Sequence, residues 1–266
     1  MKTYVNHKEA NNISFRSLSF WMCTVFVLGV LTGVVTPETA SAEPVILGSG
    51  ATGENFQDSV FTMNGFNVPP GTNRLLVIQT AAFAASTGSA QSRVLPDSVI
   101  CTIEGVLVEA PLSKGSETYV TQGSNAVIGA SLWYLPIGDN DAAEGQQAGF
   151  TVTWSRNSDR RVCGWTVIGN IDQDSPGGAT LHTSALTGNS TAMSTGDILN
   201  VPEDYVVVSA AAHRNATGTW TAASGQALIW NTWDVTPSGG LKGGSSYRVT
   251  SGQETVNLQI STTGAA

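Results

Sequence analysis

Asp139, Asp141 and Glu144 fall within one short acidic loop, Gly138 to Gln147. Closely spaced carboxylate oxygens are what a hard divalent cation takes as ligands, so this loop is a candidate Ca²⁺ site. It lacks the length and fixed glycine of an EF-hand, and a solvated acidic turn accounts for the same residues. A second cluster is aromatic: Trp220, Trp230, Trp233 and Tyr247 all lie in the last third of the chain. A flat ring can stack on the C–H face of a sugar, whose partly positive hydrogens meet the negative π face, so these four are candidate ligand-binding residues. Trp220, between Thr219 and Thr221, has the alternation of an inward-pointing residue. Trp230 and Trp233, three positions apart, face opposite sides of an unbroken strand. Trp233, followed by Asp234 and the Pro237-Ser238-Gly239-Gly240 turn, is the one expected at the surface.

Signatures of catalysis are sparse. There is no G-x-S-x-G elbow, no P-loop and no dinucleotide-binding glycine pattern. Beyond residue 42 the only histidines are His182 and His213, which read as ordinary strand-end residues. Hydrolysis of a polysaccharide on a β fold needs two acids about 5–10 Å apart. No strand carries an E-x-D-x-x-E row. Asp172 and Asp174 share a parity but flank a Pro-Gly-Gly turn, which they would cap. No organic cofactor is implied.

The leader sets the compartment. Lys2, Lys8 and Arg16 precede the apolar run Trp21 to Val35, and Ala40-Ser41-Ala42 is a small-x-small cleavage site. That order is a secretory signal peptide over residues 1–42. Fifteen helical residues cover only about 23 Å, short of the roughly 30 Å hydrocarbon core. The chain expected after cleavage is residues 43–266, one domain with no membrane span. The whole chain has 12 Lys+Arg against 20 Asp+Glu, a net charge of −8. Such a balance gives no electrostatic reason to bind nucleic acid. Export also bears on Cys101 and Cys163. In an oxidising compartment two remaining cysteines read as one disulfide, closing a loop of about 63 residues worth roughly 4 kcal/mol.

The elements that must position these residues are strands. Phe150, Val152 and Trp154 alternate with Thr151, Thr153 and Ser155, and Val162 to Ile168 is apolar at both parities. The stretch from Phe150 to Gln173 therefore reads as a two-stranded hairpin with Asn157-Ser158-Asp159 in its turn. Arg74 to Ala82 and Asp204 to His213 read as central strands, and Thr118 to Thr121 as an edge strand. Gly48 to Asp58 and Ser86 to Asp97 read as loops. About a dozen short strands and no convincing helix after the leader predict an all-β sandwich of jelly-roll or Ig-like topology. Leu75, Val77, Ile78, Val152, Trp154, Val167, Val206, Val208, Val256 and Leu258 are its predicted core.

Three pieces in order, Asn73-Arg74-Leu75-Leu76-Val77, Leu132-Trp133-Tyr134-Leu135 and Gly169-Asn170-Ile171-Asp172-Gln173-Asp174-Ser175-Pro176, resemble a diffuse class of bacterial secreted β-sandwich modules. Asp204 to Ser209 and Thr255 to Ile260 fit the same order. The resemblance implies a surface, adhesive or polysaccharide-associated protein without a recognised active site. The expectation is a secreted, extracellular or periplasmic, non-catalytic protein that binds glycan, adheres or builds surface structure. Its rivals are a polysaccharide-active hydrolase or lyase, and a self-assembling matrix or filament subunit. The partners implied are extracellular polysaccharide or further copies of the chain.

Overall fold

Arg74–Ala84, numbered β3 by its place in the chain, carries apolar residues at both parities, and every residue in it is buried. A strand of that composition has to be covered on both faces, and the rest of the fold is arranged to cover it. The computed structural model describes residues 42–54, 58–85, 88–122, 126–139, 141–173, 192–214, 218–233 and 240–262. The side chains of Glu54, Gln122 and Trp233 are outside that description, as are residues 1–41 of the expected leader. The protein is all-β, with eighteen strands among the described residues.

The central sheet has five strands: β1 (Val45–Glu54), β9 (Arg160–Gly169), β3, β7 (Ala126–Gly138) and β6 (Ser113–Gln122), in that order. All its pairs are antiparallel. A second sheet, β2 (Asp58–Asn67), β8 (Gln147–Ser158), β4 (Ser98–Ile103) and β5 (Leu107–Pro111), covers one face. The even residues of β3, Leu76, Ile78 and Ala82, meet Phe61, Phe150, Val152 and Trp154 there in the largest apolar cluster. Phe66 stacks on Trp165 in the same layer, ring centroids 4.3 Å apart.

The odd residues of β3 face a third sheet, in which β16 (Leu241–Val249) pairs with β12 (Val206–Val208), β13 (Ala211–Arg214) and β15 (Ala227–Trp233). Leu75 and Val77 pack with Val206 and Val208; Ala81 and Phe83 pack with Trp230 and Leu241. Beyond lie β10 (Ala192–Ser194), β18 (Gln259–Thr262) and β14 (Trp220–Ala222), with β11 (Ile198–Val201) on β17 (Glu254–Val256). Val207 meets Ile198, Val256 and Leu258 in this outer layer, and Ala211 and Leu228 meet Trp220 and Ile260.

Several sequence expectations change. β8 and β9 do not form a hairpin: β8 pairs with β2 and β4, whereas β9 pairs with β1 and β3. The chain steps from one sheet to the other at Asp159, which is tied to the end of β3. Its N–H donates to the Phe83 carbonyl at 2.8 Å, and its carboxylate accepts from the Ala85 N–H. Both strands are apolar enough to line the same interlayer core, a state alternation cannot distinguish from pairing in one sheet. Gly48 to Glu54, read as loop, continues β1. Its glycines are a packing requirement, since a Cβ on Gly50 would lie 2.8 Å from the Trp165 indole nitrogen. Ala90–Val94 forms a short helix, α1, inside a stretch read as loop. Of the predicted core residues eight are buried, while Val206 and Val208 are half-buried on the short strand β12.

Candidate cleft between helix α1 and strand β6

β6 is the outer strand of the central sheet, paired only with β7 among the described residues. Its register slips between Lys114 and Ser116, so Gly115 is the extra residue of a bulge. A bulge shifts the side-chain alternation by one, which puts Lys114 on the same face as Glu117 and Tyr119. Lys114 Nζ lies 2.8 Å from Glu117 Oε2 and 5.1 Å from the Trp133 ring centroid. Trp133 belongs to the core between the central and second sheets, so this face of β6 looks toward the second sheet.

α1 fills part of the space the second sheet leaves open. It can approach because residue 129, opposite Tyr119 in β7, is glycine; a Cβ there would lie 2.7 Å from Val94 Cγ2. Val94 and Leu95 anchor the helix in the core. Arg93 holds its flank, donating from Nε to the Gly88 carbonyl at 2.9 Å and from Nη1 to the Asn157 carbonyl at 3.0 Å. Asp97 follows: its N–H donates to the Thr153 carbonyl at 2.8 Å, and its Oδ2 accepts the Ser155 hydroxyl.

Between α1 and β6 remains a cleft of about 430 Å³. Lys114, Glu117 and Tyr119 form one wall; Ser89, Gln91 and Ser92 form the other, with Leu95 and Asp97 at the helix end. Tyr119 is 41% exposed, one of few large hydrophobic residues at the surface. The cleft thus offers an accessible aromatic face beside hydroxyl, amide and carboxylate groups. Both carboxylates are engaged, Glu117 by Lys114 and Asp97 by Ser155.

Trp220 and Trp230 do not form a platform of this kind. Trp230 is 8% exposed and lies flat on β9, where a Cβ on Gly164 would come within 2.2 Å of its Cε2. Its Nε1–H donates to Gln79 Oε1 at 3.2 Å, and Gln79 Nε2 donates to Thr166 Oγ1 at 3.1 Å and Ser245 Oγ at 3.3 Å. Trp220 is 2% exposed, and its face is already taken by Lys242, whose ammonium lies 5.0 Å from the ring centroid. Burial lowers the Lys242 pKa, and the ammonium donates to the Gly218 carbonyl at 3.0 Å. Trp220 and Trp230 are therefore packed as core residues. Tyr247 is half-buried, opposite Val208 and Ala227. Trp233 is the last residue of β15, opposite Lys242, and its side chain lies outside the described residues.

The acidic loop is also put to structural use. The Asp139 carboxylate accepts the Asn73 N–H, and Asp141 opens a 3₁₀ turn in which its carbonyl accepts the Glu144 N–H at 3.1 Å. Among the described residues no three His, Cys, Asp or Glu side chains are grouped to hold a metal ion. His213 sits in β13 opposite Lys242; His182 and Asp174 are outside the described residues.

The expected Cys101–Cys163 disulfide is not formed. Cys101 is in β4 of the second sheet and Cys163 in β9 of the central sheet, both buried in the layer between. Burial pushes the Cys101 thiol up to about 12.

The sequence does not announce the cleft. Ser86 to Asp97 is too polar to suggest a core-anchored helix, and Tyr119 lies within the expected edge strand Thr118 to Thr121. The available signal was Glu117-x-Tyr119 on an edge strand, two polar-capable side chains of one parity. No family model, curated protein or solved structure matches the chain.

Proposed function

We propose that this chain is an exported, non-catalytic β-sandwich protein, of jelly-roll or Ig-like kind, that holds a saccharide unit of an extracellular polysaccharide in the cleft between α1 and β6. The observation that carries the reading is the 41% exposed ring of Tyr119 in a cleft lined by Gln91, Ser92, Asp97 and Glu117. Sugars are bound by that combination, a flat apolar face for the ring C–H groups and directional partners for the hydroxyls. A binding role is favoured over hydrolysis because Glu117 is held by the Lys114 ammonium at 2.8 Å, which leaves Asp97 as the one carboxylate of the cleft without a cation. A glycosidase needs one acid to give up a proton and the other to attack or activate water. Assembly through the β6 edge is disfavoured by the Gly115 bulge and by Lys114 beside it, both of which discourage strand addition.

The test is an oligosaccharide array followed by titration of the best ligand. Tyr119→Ala is expected to weaken binding by about tenfold or more, the worth of one stacked ring plus its hydroxyl, with the thermal midpoint nearly unchanged. Equal affinity in the variant, or release of reducing sugar by the parent protein, would contradict the proposal.

A further inference from the structure

We propose that the α1–β6 cleft selects saccharides bearing free amino groups, such as a de-N-acetylated hexosamine polymer, over N-acetylated or uronate-containing ones. The inference rests on the saccharide reading of the same cleft. Asp97, Lys114 and Glu117 are the charged residues of its lining. Lys114 and Glu117 pair at 2.8 Å and cancel. No cation pairs with Asp97 among the described residues. One of its oxygens takes the Ser155 hydroxyl, and its other oxygen keeps its acceptor capacity. The nearest cation on the helix, Arg93, is turned away to the carbonyls of Gly88 and Asn157.

The cleft therefore carries one net negative charge at its helix end, in a chain whose overall charge is −8. A ligand ammonium group gains a charge-assisted hydrogen bond there. N-acetylation removes the charge that makes this bond, and a uronate carboxylate meets like-charge repulsion locally and from the whole chain. Lys114 sets the limit of the effect: it masks Glu117, so that one acid and not two faces the ligand.

The experiment is calorimetric titration of the protein with three probes: a glucosamine hexamer, an N-acetylglucosamine hexamer and a galacturonate hexamer. At about 50 mM salt the glucosamine hexamer is expected to bind about tenfold tighter than the acetylated one, with the galacturonate hexamer weakest. At about 500 mM salt the preference should shrink, because an exposed pair is then screened. Asp97→Asn, which retains an acceptor for Ser155, should level the first two affinities. Lys114→Gln, which unmasks Glu117, should widen the gap. Equal binding of the two hexosamine probes, a preference for the galacturonate probe, or an unaltered preference in both variants would overturn the selection. Absence of binding to every probe by the parent protein would instead remove the saccharide reading, and the selection with it. Should Asp97→Asn fail to fold, the Lys114→Gln gap decides alone.

Discussion

Trp230 has the chemistry of a sugar platform and the contacts of a core residue. What separates the two is whether the flat face meets water or Gly164, and nothing near residue 230 in the chain reports that. Trp220 was partly legible, because the alternation around it points inward; its covering by Lys242 was not. The same limit applies to Cys101 and Cys163. Their number and the expected compartment argue for a bridge, while the structure places them on facing sheets without one. The structure predicts that iodoacetamide leaves both unlabelled in the folded protein, since both are fully buried and burial raises the Cys101 thiol, disfavouring the reactive thiolate. In denaturant without reductant, peptide mapping should find label on both. Label appearing only after reduction would restore the disulfide.

At the level of elements, strands apolar on both faces were the most legible part of the chain. β3 reads as central because no one-sided sheet can bury both of its parities, and β6 reads as an edge because its residues are polar. Partner choice was illegible. β8 and β9 face the same core from opposite sheets, and sequence adjacency made them look like a hairpin. α1 was missed because five residues carry too little periodicity to outweigh a polar neighbourhood. Its seating depends on the missing side chain at Gly129, which yields a sharp expectation. Gly129→Val must displace Val94 and so shift α1, at a cost of about 1–3 kcal/mol typical of overpacking. Denaturant melts should show that loss, and saccharide affinity should fall with it by about tenfold. Full affinity in a destabilised variant would detach α1 from the binding site.

Across the whole molecule, the stacking of sheets accounts for the cleft lying at a margin. The central and third sheets are both covered on two faces, so their aromatics, their buried hydroxyls and Gln79 are used up in holding layers together. The second sheet has one strand fewer than the central one, and β6 is left under the small α1 where coverage ends. At that margin the exposed Tyr119 ring meets the polar groups of Gln91, Ser92 and Asp97. The most direct measurement is an amide chemical-shift titration of the labelled protein with a bound oligosaccharide. The largest shifts are predicted at Gln91, Ser92, Asp97, Glu117 and Tyr119. Shifts confined to β14, β15 and the residues after Trp233, with those five amides unmoved, would contradict the account.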